Sequence, residues 1–291
     1  MHISTSLNVF EIHHPIGRQI RRCREAGFLS LDFNYWDYQE TAWTMTRQEE
    51  EAWAWNIREA ADLHGVRFTQ MHGPVHGPSF REMVMGLNVE SFLEMAERSL
   101  RTAAILGVPW VVFHPGQVSL QGEEPYREVL DYNVDFYRKL LPVMERTGVG
   151  IALENIFDRT GGETGLWRRI YCGSPEELSE LLTKLDHPLF GACWDTGHGH
   201  RQGLRQGPSI RMLGKRLKAL HIQDNDGNKD QHLLPFLGTI DWKDVMSELR
   251  EIGYEGDFTY EAHMSIRVLP DELRDAKLAY AAETAKYITA L

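Results

Sequence analysis

Eight short apolar runs recur along these 291 residues, and a helical pattern follows each of them. The runs are HISTSL (2–7), FLSLDF (28–33), VRFTQM (66–71), PWVVF (109–113), VGIAL (149–153), LFGACWD (189–195), LKALHI (217–222) and GDFTY (256–260). Strict alternation of strand and helix makes the strands parallel, because each helix carries the chain back to the starting edge of the sheet. Eight such units in a chain of this length predict one closed (β/α)8 TIM barrel over 1–291 rather than an open doubly wound sheet. No linker or charge block divides them.

Local signals mark the helix ends. Thr46 with Glu49 fits a capping box, and Ser174-Pro175-Glu176-Glu177 places a cap, a first-turn proline and an acid in order. Gly27, Gly65 and Gly107 stand where helices favour a terminating glycine. Two stretches read as loops. One is the aromatic segment 34–42, with Tyr35, Trp36 and Tyr38. The other is the glycine-rich segment 159–173, with Arg168 and Arg169, read as an active-site loop. The glycine after Asp195-Thr196 is expected to turn the chain sharply into a loop carrying His198 and His200.

The formal charge of −11, from 42 acids and 31 bases, argues against a nucleic-acid partner, since phosphate affinity is carried by Lys and Arg. Three scattered cysteines form no disulfide framework, which fits a reducing cytoplasm; Cys193, inside an apolar run, reads as an inert core thiol. No signal peptide is visible and no apolar run approaches the ~20 residues of a membrane span, so no membrane partner is expected. Neither GxGxxG after a strand nor GxxxxGK[ST] is present, so nucleotide cofactors have no support.

The strand ends carry the chemistry. From the third strand to the eighth they are His72, His114, Glu154, Asp195, His221 and Glu261, at intervals of 42, 40, 41, 26 and 40 residues. In a parallel barrel those tips converge on one face, so sequence distance becomes spatial proximity. Carboxylates and imidazoles are oxygen and nitrogen donors of borderline hardness, suited to Mn²⁺, Zn²⁺, Co²⁺ or Fe²⁺. Glu154, Asp195, His221 and Glu261 would hold one divalent ion and leave positions open for substrate.

The motifs MHGP (71–74), VFHPG (112–116), ALEN (152–155), WDTGHGH (194–200), HIQDND (221–226), DQH (230–232), TIDW (239–242) and YEAH (260–263) cover most of the chain. Together they resemble the xylose-isomerase-like superfamily of TIM barrels, which contains sugar isomerases and epimerases, inosose-processing enzymes and endonuclease IV. The resemblance implies that residues matching Glu154, Asp195, His221 and Glu261 bind one divalent metal. It also implies that Glu154 and Glu261 form the acid/base pair of an isomerase or epimerase acting through a metal-stabilised enediolate. A sugar or cyclitol is the expected small-molecule partner. His72, His114, His198, Asp230, His232, Arg168 and Trp36 are its expected contacts.

Three other readings stay open. An inosose dehydratase-type lyase uses the same enolate logic. An endonuclease IV-like enzyme would use nine residues for three zinc ions: His72, His114, Glu154, Asp195, His198, His221, Asp230, His232 and Glu261. A non-catalytic barrel could keep the metal for stability. Ketose 3-epimerases generally carry an arginine six residues after the ligand histidine, where this chain has Gly227. The aromatic run from Tyr35 to Trp55 is a candidate lid or subunit contact in a homo-oligomer.

Overall fold

The computed structural model describes residues 1–75, 89–116, 125–161 and 166–291. The chain runs β1 (Ile3–Ser6), α1 (Ile16–Ala26), β2 (Ser30–Asn34), α2 (Tyr35–Thr44), α3 (Arg47–Leu63), β3 (Arg67–His72) and α4 (Val89–Leu106). It continues through β4 (Trp110–Phe113), α5 (Pro125–Thr147), β5 (Gly150–Glu154), β6 (Arg159–Gly161), β7 (Leu166–Arg168), α6 (Pro175–Leu185) and β8 (Phe190–Asp195). It ends with α7 (Thr196–Arg201), α8 (Gln206–Leu213), β9 (Leu217–His221), α9 (Trp242–Glu251), β10 (Phe258–Tyr260) and α10 (Asp271–Thr289).

Eight strands form one parallel sheet in the order β10-β1-β2-β3-β4-β5-β8-β9. A parallel bridge between Ile222 and Tyr260 joins β9 to β10 and closes the ring. The bonds of that closure, Ile222 N to Thr259 O at 2.8 Å and Glu261 N to Ile222 O at 3.0 Å, set His221 and Glu261 side by side. Outside the ring, α1 and α10 are tied by Arg22, which donates to Asp275 at 2.5 Å and Asp271 at 2.6 Å. The expected (β/α)8 barrel is therefore the observed architecture. No helix among the described residues is long and apolar enough to cross a membrane.

The helix signals act as read. Thr46 and Glu49 close a reciprocal capping box on α3, and Ser174 accepts from Glu177 N at 3.3 Å at the start of α6. Three local expectations are corrected. Residues 35–44 are helical. The helix is held by remote contacts: Tyr35 donates to Glu50 at 2.6 Å, while Arg98 caps the other end on Ala42 O at 2.6 Å and Met45 O at 2.9 Å. The segment after Glu154 contains the antiparallel strand pair β6 and β7. Residues 196–201 form α7 instead of a loop, because Asp195 caps it: its Oδ1 accepts from His198 N at 2.6 Å. Gly197 is needed there for close approach rather than for a sharp turn, since a Cβ would stand 2.2 Å from Gln223.

The lumen of the barrel is two-sided. Val112, Ala152, Cys193 and Ala219 make a small apolar cluster on one side, with Trp110 packed against it. Trp110 lies across β5 because that strand starts with glycine; a Cβ on Gly150 would sit 2.3 Å from the indole. The other side is lined by the buried polar residues Ser4, Ser6, Asp32, Asn34, Gln70 and Thr259. Alternation places their neighbours Leu31, Phe33, Phe258 and Tyr260 outward against the helices. A cavity of about 480 Å³ opens at the opposite end from the strand tips, between Trp110, Lys218 and Tyr254, and none of the clustered imidazoles lines it.

Candidate metal centre and active site

Every strand-end residue read from the sequence arrives in one cluster centred on Glu154. Its Oε1 lies 3.0 Å from His221 Nδ1 and 3.3 Å from His198 Nδ1. Its Oε2 lies 3.1 Å from His114 Nε2 and 3.7 Å from His72 Nε2. Glu261 approaches the same His221 Nδ1, at 3.4 Å. Glu154, Asp195, His221 and Glu261, all buried, offer one ligand atom each within 4.8 Å of one another.

Residues to which the sequence assigned no role hold these ligands in place. Asn155 and Asp195 clasp the tips of β5 and β8: Asp195 N donates to Asn155 Oδ1 at 2.6 Å, and Asn155 Nδ2 donates to Asp195 O at 3.0 Å. Gln223 donates to Asp230 Oδ1 at 2.8 Å and accepts from His232 N at 3.1 Å. Asp224 is wholly buried and takes four donors, from Asn225 N, Ile240 N, Phe236 N and the Trp242 indole, which folds the 224–242 segment beside the site. Only the motifs ALEN and HIQDND signalled these three.

Of the expected substrate contacts, His72 and His114 meet Nε2 to Nε2 at 3.3 Å and form a second potential ligand group with Glu154. His198, Asp230 and His232 form a third. His232 Nε2 stands 3.1 Å from Asp230 Oδ2 and its Nδ1 meets Glu261 O at 2.8 Å. Trp36, on the first turn of α2, covers His72 with ring centroids 6.5 Å apart. The Arg168 backbone lies in β7, and its side chain is outside the described residues. His200 turns away and meets Thr239 Oγ1 at 2.8 Å. His263, missed in the sequence although it closes the motif YEAH, packs on His232 at 4.5 Å between ring centroids and meets Asn8 at 3.2 Å.

Burial and close charges shift these groups in opposite directions. Burial raises the Glu154 carboxyl, but His221 and His114 outweigh it and hold the group well below the usual range. Burial dominates at Asp195, which is pushed up to about 7 against the pull of His198. Burial, then His114, lowers His72 to about 4. His221 goes the other way: burial opposes its charge, yet Cys193, Glu154 and Glu261 hold it well above its ordinary value. Cys193 itself is a buried free thiol pushed up to about 12 by burial, in keeping with an inert core residue.

The donor set fits a divalent ion. Three carboxylates and one imidazole converge, and the protein itself supplies no hydrogen bond of good geometry to Glu154 Oε2. The fold agrees with comparison against known families, in which a model described as a xylose isomerase-like TIM barrel matches residues 20–289. The chain belongs to that family. A protein of Methanocaldococcus jannaschii, itself uncharacterized, is 28% identical over 210 residues, covering 70% of this chain and 67% of its own length. Among solved structures, a D-tagatose 3-epimerase-like protein superposes with TM-score 0.77 at 21% identity, covering 100% of this chain and 98% of its own. The 3-keto-D-glucoside 4-epimerase of E. coli superposes with TM-score 0.73 at 17% identity, over 97% and 99%. The IolI protein, solved with a zinc atom, superposes with TM-score 0.70 at 19% identity, over 100% and 97%. At these identities the superpositions establish the fold.

Proposed function

We propose that this protein is a metal-dependent isomerase or epimerase of sugars, cyclitols or keto-sugars. The observation that carries the reading is the placement of Glu154 and Glu261 on the same imidazole nitrogen of His221, at 3.0 and 3.4 Å, with Asp195 completing a buried four-ligand group. That group would hold one divalent ion, Mn²⁺ or Zn²⁺ and by ligand type also Co²⁺ or Fe²⁺. When bound, the ion polarises a substrate carbonyl and offsets the negative charge that develops as the adjacent carbon loses its proton. Its zinc-bearing neighbour and the two epimerase neighbours support the same chemistry for this chain.

The chain's own residues move the proton. Glu154 and Glu261 are the acid/base pair: one carboxylate accepts the carbon-bound proton and the other returns it to the opposite face or to the neighbouring carbon. His198, held by Asn155 O at 2.8 Å, presents an imidazole to a substrate oxygen. His72, His114, Asp230, His232, Arg168 and Trp36 are assigned as substrate contacts, with Trp36 screening the mouth. Loss of a hydroxyl next to the deprotonated carbon would make the same site a dehydratase-type lyase. The test is metal-dependent exchange of carbon-bound hydrogen with D₂O across ketoses, inososes and 3-keto-sugars.

A second reading has an observation in its favour. His72, His114 and Glu154, and separately His198, Asp230 and His232, form potential ligand groups flanking the first. Nine residues in three adjoining groups suit three zinc ions and the phosphodiester chemistry of an endonuclease IV-like enzyme. Metal analysis of the purified protein separates the two: near one ion per chain supports the sugar enzyme, and three zincs support the nuclease.

A further inference from the structure

Beneath the ligand cluster the lumen holds polar atoms that the fold leaves unsatisfied. Asp32, on β2, is wholly buried, no side chain donates to its carboxylate oxygens, and only the His72 backbone N–H bears on them, weakly. Ser4 Oγ and Thr259 Oγ1, on the neighbouring strands β1 and β10, are buried and unpartnered as well. Burial opposes the charged form and raises the Asp32 carboxyl to about 7, so a fold that keeps this group in its lumen carries a penalty that apolar packing would remove.

The register says what lies above it. Asp32 pairs with Gln70 and Asn34 with His72, which puts Asp32 one inward-facing position below the layer of His72. His221 shares that upper layer, its ring stacked on His72 with centroids 5.5 Å apart and planes 12° from parallel. His221 directs Nδ1 at Glu154 and Glu261, and its other nitrogen, Nε2, is buried with no oxygen or nitrogen partner, the Cys193 thiol being a further group against the ring. Burial acts first on the Asp32 carboxyl, and of the charges around it His221 bears on it most strongly, ahead of Glu261 and Glu154. A buried carboxyl that no side chain donates to and a buried ring nitrogen with no oxygen or nitrogen acceptor, only the Cys193 thiol against the ring, therefore sit in adjacent layers of one lumen.

A ligand histidine is held in one tautomer and one orientation by what its second nitrogen donates to, commonly a carboxylate or a water. The geometry points to Asp32 as the positioning residue for His221, receiving its Nε2–H through one bridging water and so aiming Nδ1 at the ion. The inference rests on the four-ligand reading above. It is a role for this chain's own residue and adds no ion to that reading.

Its test uses the purified full chain, metal-free, with Co²⁺ as the probe. Chelator competition gives the affinity, the visible spectrum of bound Co²⁺ reports ligand geometry, and thermal unfolding of the metal-free protein reports the fold. Asp32→Asn, close in shape, is expected to weaken Co²⁺ binding about 10–100-fold and alter the spectrum. The metal-free unfolding midpoint should stay level or rise, because a buried carboxyl whose ionisation burial opposes is replaced by a neutral amide. Asp32→Glu, which restores the carboxylate, should recover part of the affinity. A merely structural Asp32 gives the opposite sign: its loss lowers the metal-free midpoint, and a weaker affinity that follows such a drop overturns the inference. Affinity within threefold of wild type overturns it too, as does a loss seen in Cys193→Ala but not in Asp32→Asn, since the Cys193 thiol is the other group against the His221 ring. A wild-type chain that binds no ion defeats the four-ligand reading itself, and the role of Asp32 with it.

Discussion

Asn155 and Asp195 hold each other through two hydrogen bonds, 2.6 Å from Asp195 N to Asn155 Oδ1 and 3.0 Å from Asn155 Nδ2 to Asp195 O. Glu154 precedes one member and Asp195 is the other, so this clasp fixes the spacing of two ligands on adjacent strands. Asp195 also caps α7 and thereby places His198. Asn155→Ala removes both bonds and leaves two buried backbone groups unpaired, which should cost about 2–3 kcal/mol. Denaturant unfolding of the metal-free protein measures it; a cost under about 0.5 kcal/mol would mean the clasp is dispensable.

Glu154 and Glu261 should differ from the surrounding histidines in what their loss does. Glu154→Gln and Glu261→Gln keep shape and one oxygen donor while removing the base. Each should lower hydrogen exchange at the substrate carbon by about 10²–10⁴-fold. Full activity in both variants would remove the proposed acid/base pair.

Metal binding should be pH-dependent with a defined sign. His221 is held well above its ordinary value despite burial, by Cys193, Glu154 and Glu261, so without metal it keeps its proton at neutral pH. His232 is raised to about 9, burial being outweighed by Asp230 and Glu261. An ion must displace the His221 proton and its charge disfavours the one on nearby His232, so apparent affinity should rise with pH from 6 to 8, with about one proton or more released per ion. Calorimetry in two buffers of different ionisation enthalpy reads the proton count. A flat profile with no release would contradict the assignment of His221 as a ligand.

At the rim, Arg274 donates to both oxygens of Glu11, at 2.5 and 2.7 Å. That hydrogen bonding lowers the Glu11 carboxyl from 4.5 to about 2. A depressed folded-state value stabilises the fold above the unfolded value and the gain is lost as pH falls. The contribution, about 1–2 kcal/mol after solvent screening, should be complete above pH 5 and gone near pH 2. Glu11→Gln should therefore lower stability at pH 6 and match wild type at pH 2; a deficit independent of pH would place the effect elsewhere.

The barrel and its ligand tips were legible because both are written in short-range pattern: apolar runs, caps, and an acid or imidazole at strand ends about one βα unit apart. What escaped depends on partners far away in sequence. Helix α2 looks like a loop because nothing local caps it; Arg98 and Glu50 supply its contacts. Asn155, Gln223 and Asp224 have ordinary side chains for a strand end, and only the partners that folding brings to them, Asp195 for Asn155, Asp230 and His232 for Gln223, and the 236–242 segment for Asp224, give them a purpose. The turn assigned to Gly197 is a helix because Asp195, already legible as a ligand, is also a cap. His263 lay in plain sight beside Glu261, but the strand pattern ends before it and no spacing marks it.

The central claim is that this site moves a carbon-bound proton with the help of a divalent ion. Its most direct test is NMR or mass spectrometric detection of deuterium uptake from D₂O into ketoses, inososes and 3-keto-sugars, with and without added Mn²⁺ or Zn²⁺. The expected result is uptake next to a carbonyl in at least one of these classes, abolished by chelation and restored by the ion. Absence of exchange in every class, from protein shown to carry its metal, would contradict it.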